Sequence, residues 1–490
     1  MGLGKVKARL ILYETIREMK HKLTLALWIL TIVTAFALDT IPQENWKLAQ
    51  QYLDQQKDFA AIVMVGSGGE TRINQGYGYA DRANMIPFSD KTLSTIGSIT
   101  KPFTATAILL LMDKGMLSVN DPISKYFENV PSDKMNITLH QLLTHSSGLP
   151  GAIGDDYESI STLDFQKRTW EQKLLFEPGI GYEYSNVGYS LLGMIIEKVS
   201  EQTYSSFLAE NIFKPAGMQT AGYSNPKADY KNLSHGYLHD GNDWGTSHDK
   251  NWNGEEPYWH LKANGGILMS ANDMYQWYLA LRDHKVLSPA LLKIQTTPYV
   301  EEGGGSFYGY GYALDPEDEC VQHNGGNRIF KADFRWFPKL DMFLFASTND
   351  ANVRLFRLTD EIIRILKTGE LPQIDSWTSL SLDSFPSNEN QFTAKAFIDM
   401  VESNTGDKVT VFIPEYFTPA SIERNGIDGL QKLFNTLHND IKPGSLQSVA
   451  HSGEKIQVVM LAKNENARLK ITLSMVQHKI DKLEAVMEGI

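Results

Sequence analysis

Gly97-Ser98-Ile99-Thr100-Lys101-Pro102-Phe103 is the stretch whose reading decides the fold. On an α-helix, Ser98 and Lys101 stand at i and i+3 and share a face. An apolar run from Phe103 to Met112 follows, which makes the helix a buried one with the serine at its N-terminus. Unpaired backbone N–H groups at that end favour developing negative charge. A lysine held beside a nucleophile and away from water loses its proton more readily than a free one. By itself the four-residue pattern also fits an ordinary helix start with a surface lysine.

Two further segments shift that balance. Tyr184-Ser185-Asn186 lies in a glycine-rich loop, residues 178–189, that runs into an apolar helix over Leu191 to Val199. His323-Asn324-Gly325-Gly326 follows a short strand-like piece and precedes two more strands. In order and spacing the three segments resemble the S-x-x-K, Y-x-N and K-T-G/H-x-G motifs of the serine β-lactamase and penicillin-binding protein superfamily. The nearest branch is that of class C β-lactamases with their esterase and D-amino-acid peptidase relatives. Residues 139–150 (LHQLLTHSSGLP), 212–218 (IFKPAGM) and 265–274 (GGILMSANDM) match the same branch. The resemblance covers roughly residues 45 to 368, and several ordered motifs agreeing carry more weight than any one.

The composition suits this reading. The chain has 490 residues, enough for two or more domains, with 42% hydrophobic and 21% charged side chains. Its net charge is −12. Without the first 37 residues the remainder carries 40 basic and 56 acidic side chains, a net of −16. That excess argues against a nucleic-acid partner and against steering toward anionic surfaces. Cys320 is the single cysteine, so no intramolecular disulfide forms. It stands three residues before His323, and odd separations along a strand point to opposite faces. A buried, inert thiol is therefore expected rather than a Cys/His pair.

The first 37 residues read as an address. Lys20-His21-Lys22 precedes an uncharged run from Leu23 to Leu38, and Ala35-Phe36-Ala37 fits a small-residue cleavage rule. Met19 also serves as a start of conventional proportions. Sixteen residues are short for a spanning helix, which needs about 20. Cleavage after Ala37 and export to the periplasm or medium are expected; an uncleaved anchor is the other reading and the one route to a membrane.

The pattern along the chain predicts an α+β fold. Ile41 to Lys57 reads as a helix, and Ala60 to Tyr79 as a hairpin about Gly66-Ser67-Gly68-Gly69. That turn lacks the continuation of a phosphate loop. Helices and loops fill the sequence to about Asp283. Strands are expected at Gly309–Leu314, Glu319–His323, Phe330–Phe337 and Met342–Ser347, then a helix over Arg354–Lys367. One antiparallel sheet flanked by helices would combine the two ends, with a helical lobe between. This hydrolase domain spans 40–368, a linker 369–390 and a small α+β domain 391–490. In the last, Leu469, Ile471, Leu473 and Met475 alternate with polar residues as in a strand with one wet face. Helices are expected at Phe392–Val401 and Ile427–Leu437, and strands at Lys455–Ala462 and Ile480–Met487.

The resemblance implies a mechanism. Ser98 is acylated, and Tyr184 with Lys101 shuttles the proton. Burial favours a neutral lysine and a nearby cation favours tyrosinate, so the pair titrates as a unit. Asn186 holds Lys101 and the substrate amide. The N–H groups of Ser98 and Gly326 hold the oxyanion, and Asn324 and Gly325 complete the substrate edge. His323 replaces the lysine of penicillin-hydrolysing members and is mostly neutral at pH 7. That moves the expectation from β-lactams toward a peptide amide or small ester. A true β-lactamase and a non-catalytic peptidoglycan or peptide binder are the alternatives. His235, His239, His248 and His260 cluster in sequence, but glycine-rich surroundings do not support helical metal spacing. His140 and His145 read as structural. No metal and no cofactor are called for, and the substrate is a small molecule or peptide. The sequence leaves the oligomeric state undetermined.

Overall fold

The computed structural model describes residues 41–489 except 57–58, 226, 251, 253–255, 328, 373–377, 381, 383–384, 387, 404–405 and 464–466. The expected leader, residues 1–37, lies outside the described residues. The chain divides into two units, with the break after Leu371.

The first unit opens with α1 (Gln43–Gln55), whose Trp46, Ala49 and Leu53 recur at helical spacing and are buried. Strands β1 (Ala61–Ser67) and β2 (Glu70–Tyr77) form the expected hairpin. Helices α2 (Thr100–Asp113), α3 (Asn186–Ser200) and α4 (Ala271–Arg282) belong to the middle of the chain. Then come β3 (Val300–Gly303), β4 (Ser306–Tyr308), β5 (Ala313–Asp315), β6 (Cys320–Gly326), β7 (Lys331–Phe337), β8 (Met342–Thr348) and α5 (Leu355–Thr368). The sheet order is β2-β1-β8-β7-β6-β5-β4-β3, antiparallel throughout. The N-terminal hairpin thus closes on the C-terminal strands, with Ala61 opposite Thr348.

Both faces of this sheet are covered, which explains the unbroken apolar run Met342-Phe343-Leu344-Phe345-Ala346. Met342, Leu344 and Ala346 pack with Val63 and Val65 against α1 and α5. Phe343 and Phe345 join Ile62 and Met64 in the core of the helical lobe. Each such buried side chain contributes about 1.5–3 kcal/mol. The same alternation sends Cys320 to the α1/α5 side and Val321 to the lobe side. Burial pushes the Cys320 thiol up to about 12, as an inert core residue requires.

One strand expectation needs correction. Of Gly309–Leu314 only Ala313 and Leu314 are strand, in β5; before them Gly309 N–H donates to the Tyr312 carbonyl at 2.8 Å and closes a turn. The turn joins β4 and β5, so the tyrosine-rich segment forms a short hairpin at the sheet edge. Alternation of Tyr and Gly mimics a strand pattern without requiring one.

The second unit has its own core. Strand β9 (Thr378–Leu380) precedes α6 (Glu389–Ser403), α7 (Gly406–Tyr416), α8 (Pro419–Asn425) and α9 (Ile427–Asp440). Strands β10 (Ile441–Ser452), β11 (Lys455–Ala462), β12 (Ala467–Val476) and β13 (Lys479–Gly489) complete an antiparallel sheet in the order β9-β10-β11-β12-β13. Leu469, Ile471, Leu473 and Met475 are buried with Phe397 and Phe434. The linker expectation for 369–390 is corrected at one point, because β9 pairs with Val449–His451.

Candidate active site

The lobe face of β6 meets the N-terminal end of α2. Gly97-Ser98-Ile99 forms a single tight turn leading into Thr100, so Ser98 stands where helical N–H groups are unpaired. Gly97 has φ +54°, and a methyl placed there would lie 2.3 Å from Gly326 N. At Gly325 a methyl would lie 2.0 Å from the Ile96 carbonyl oxygen and 2.8 Å from Ser98 N. Both glycines are therefore required for the two backbones to touch. Their approach puts Ser98 N and Gly326 N on the same small volume.

Lys101 is fully buried on α2. Its Nζ lies 3.1 Å from Ser98 Oγ, and it donates to Asn186 Oδ1 at 2.7 Å and to the Asn264 carbonyl at 2.9 Å. Burial lowers its pKa well below the ordinary lysine value, with Asp156 opposing. Two carbonyl acceptors and one hydroxyl match the two N–H bonds and one lone pair of a neutral amine. Ser185 Oγ caps α3 by accepting from Gly188 N–H at 3.1 Å, which fixes Asn186 in the first turn facing Lys101. Asn264 is held by its own side chain, which donates to Ser190 Oγ and to the His260 carbonyl, both at 2.9 Å.

Tyr184 lies beside Ser98, which acts to lower its pKa, and its ring centroid lies 4.6 Å from Lys101 Nζ. Burial, the largest influence, raises its pKa above the ordinary phenol value. The tyrosinate half of the expectation is thereby corrected: burial raises the phenol while it lowers the amine.

His323 is buried, and both ring nitrogens are engaged. Nδ1 donates to the Asn324 carbonyl at 2.5 Å, so Nε2 accepts from Tyr308 O–H at 2.9 Å. Burial and Lys101 hold its pKa down at about 3. Asn324 has an exposed side chain and lines, with Tyr184, Glu302, Tyr308 and His323, a groove of about 620 Å³.

The structure adds His145, read from sequence as structural. Its Nδ1 accepts from Ser185 N–H at 2.9 Å, and its ring packs 4.3 Å from Tyr184 and 4.5 Å from Tyr308. It supports Tyr184 from behind. The signal was available, since His145 lies in one of the segments that carry the family resemblance. Asn264 gave less warning, because it acts through its backbone carbonyl. His140 bonds Tyr310 O–H at 2.7 Å. His235 bonds Asp243, His248 meets the Tyr223 carbonyl, and His260 lies 3.6 Å from Glu158. Those histidines do not converge on one point.

Burial holds His145 well below the ordinary imidazole value as it does His323. Unfolding returns both to about 6.5. Below that value the unfolded chain binds protons that the folded chain refuses, so stability present above about pH 6.5 is lost as the pH falls toward 3. Each histidine contributes up to about 1.4 kcal/mol per pH unit in that window. The apparent Tm is expected to fall by about 5 °C or more between pH 7 and pH 5. A flat midpoint over that range would contradict neutral burial.

A serine hydroxyl, a buried amine and a phenol converge beneath two backbone N–H groups, on a sheet closed by a helical lobe, as nucleophilic catalysis by a serine requires. Comparison with known proteins agrees: a family model described as Beta-lactamase matches residues 47–366, and the chain belongs to that family. PbpX of Bacillus subtilis (strain 168) is 35% identical over 258 residues, 53% of this chain and 63% of its own length. The chain thus spans less than two thirds of that relative. The penicillin-binding protein of Bacillus halodurans is 26% identical, with a TM-score of 0.56 over 65% of this chain and 99% of that one. The octameric penicillin-binding protein homologue of Pyrococcus abyssi covers 90% of this chain and 99% of its own, with a TM-score of 0.58 at 20% identity, and shares the fold.

Proposed function

We propose that the chain is an exported serine hydrolase, of the class C-like branch, that forms an acyl-enzyme on Ser98 with a small amide or ester. The observation that carries this reading is Lys101: fully buried, 3.1 Å from Ser98 Oγ and bonded otherwise to carbonyl oxygens. Ser98 Oγ attacks the substrate carbonyl carbon, and its proton passes to Lys101 Nζ. The N–H groups of Ser98 and Gly326 hold the oxyanion. The carbonyl then re-forms and expels the leaving group, which takes a proton from Tyr184 O–H; Lys101 restores that proton. Water attacks the ester next, through the same groups, and regenerates Ser98.

His323 weighs against a true β-lactamase. Held neutral, with Nε2 turned to Tyr308, it offers no positive charge to a substrate carboxylate. A mere binder of peptidoglycan or peptide has no physical need for a desolvated amine beside a hydroxyl. The name of the Bacillus halodurans relative supports a penicillin as one probe. Incubation with a fluorophosphonate or a penicillin, followed by peptide mass spectrometry, is expected to place the adduct on Ser98. An adduct elsewhere, or none with either reagent, would overturn the reading. N-terminal sequencing of the secreted protein tests export, with Leu38 expected first.

A further inference from the structure

Beside Ser98 is a recess of about 40 Å³, lined by Ser98, Tyr157, Asn186, Leu261, Asn264 and Gly326 among others. At about 10–15 Å³ for each water-sized group, it holds about three. The recess opens on the nucleophile and on the two residues whose N–H groups hold the oxyanion, so one half of a substrate that acylates Ser98 enters it. Tyr157 is the one aromatic side chain among the described residues of that lining, and the largest.

Tyr157 is fixed from three directions. Its ring packs against Trp244 with centroids 5.8 Å apart, and Trp244 is itself held between Phe330, at 5.8 Å, and Lys250 Nζ, 3.6 Å above its ring. Asn327 Nδ2 donates to the Tyr157 hydroxyl at 3.4 Å, while Asn327 Oδ1 accepts from Phe330 N–H at 3.0 Å. Tyr157 N–H donates to Asp155 Oδ1 at 3.0 Å, and Arg168 ties the loop on either side of it, through the Ile153 carbonyl at 3.3 Å and Glu158 at 2.9 Å. Asn327 directly follows Gly326, so Tyr157 is anchored beside an oxyanion donor. Swinging the ring aside breaks an aromatic contact and a hydrogen bond together.

From this geometry we infer that Tyr157 is a specificity-determining residue, whose ring walls off the recess beside Ser98 and limits the half of the substrate that enters it to about three non-hydrogen atoms. The inference rests on the acyl-enzyme reading and deepens it. Asn327 and Trp244 are positioning residues that act through the ring. The ring sets the limit and the hydroxyl does not, because its bond to Asn327, at 3.4 Å, is longer than a strong hydrogen bond.

The test starts from an ester that is small on both sides and enlarges one side at a time. Vinyl acetate is the reference, vinyl octanoate enlarges the acyl half, and phenyl acetate enlarges the leaving half. Values of kcat/KM are measured for the wild-type protein and for Tyr157→Ala, Tyr157→Val and Tyr157→Phe. One of the two enlarged esters is expected to react at least about tenfold more slowly than vinyl acetate, and it identifies the half that meets Tyr157. That gap is expected to close by about tenfold or more in Tyr157→Ala, to close in part in Tyr157→Val, and to persist in Tyr157→Phe. Each gap is a ratio within one protein, so a general loss of activity or of folded enzyme cancels. Both enlarged esters reacting like vinyl acetate, no reaction with vinyl acetate, a gap left intact by Tyr157→Ala and Tyr157→Val, or one closed equally by Tyr157→Phe would overturn the inference. Labelling of Ser98 by a fluorophosphonate would meanwhile leave the acyl-enzyme reading standing, and its absence would remove both.

Discussion

Lys101→Ala is expected to lower kcat/KM by about 10³–10⁴-fold, close to the loss from Ser98→Ala. The reason is geometric: among the described residues Lys101 Nζ is the amine within reach of Ser98 Oγ, at 3.1 Å. Without it the hydroxyl keeps its proton through the attack, and a positioned base contributes about 10²–10⁴-fold. Tyr184 does not substitute, because its pKa is raised rather than lowered. Nucleophile and base act as one unit, so the double variant is expected to lose little more than either single one. Lys101→Arg is not a rescue, since a guanidinium stays charged in that buried site. Rates measured with the amide or ester, beside Ser98 labelling, decide the point. Losses that multiply in the double variant would assign the base elsewhere.

Gly325→Ala is expected to cost about 10²–10³-fold in kcat with the fold retained. The new methyl would sit 2.0 Å from the Ile96 carbonyl oxygen and 2.8 Å from Ser98 N. Neither neighbour is the flexible end of a side chain, so β6 must draw back from the Ser98 turn. That withdrawal separates the two N–H groups that hold the oxyanion, and loss of one such donor costs about 10²–10³-fold. Overpacking adds about 1–3 kcal/mol of destabilisation. Far-ultraviolet circular dichroism and the Tm report the fold, and kcat reports the site. Unchanged kcat would remove Gly326 N–H from the mechanism.

These expectations concern residues at different distances from what a sequence can show. Ser98 and Lys101 are legible because i and i+3 on a helix settle their neighbourhood locally. Asn186 is legible through the resemblance of Tyr184-Ser185-Asn186 to a family motif placed before an apolar helix. The joining of both ends in one antiparallel sheet was legible as well, since strands cluster at both ends of the hydrolase domain, and β1 and β8 alternate between its two faces. The Tyr-Gly run at 308–312 misled because its spacing imitates a strand while a 2.8 Å backbone bond closes it as a turn.

His145, Asn264 and Tyr157 belong to the other kind. His145 acts by the ring it presses against Tyr184, and Asn264 by a backbone carbonyl. Tyr157 is set by the course of a loop, 151–160, that has no periodicity to read. The charge states followed the same division. Sequence supplies the ionisable groups, but burial decides which protons they keep, and burial is a property of everything packed around them. The chain by itself therefore pointed to the nucleophile and its neighbouring amine, through ordered motifs that resemble a known family, and to one antiparallel sheet joining both ends of the hydrolase domain. Only the tertiary structure decided that burial lowers the pKa of Lys101 and raises that of Tyr184, and that His323 is spent on Tyr308, because each depends on contacts between segments far apart in sequence.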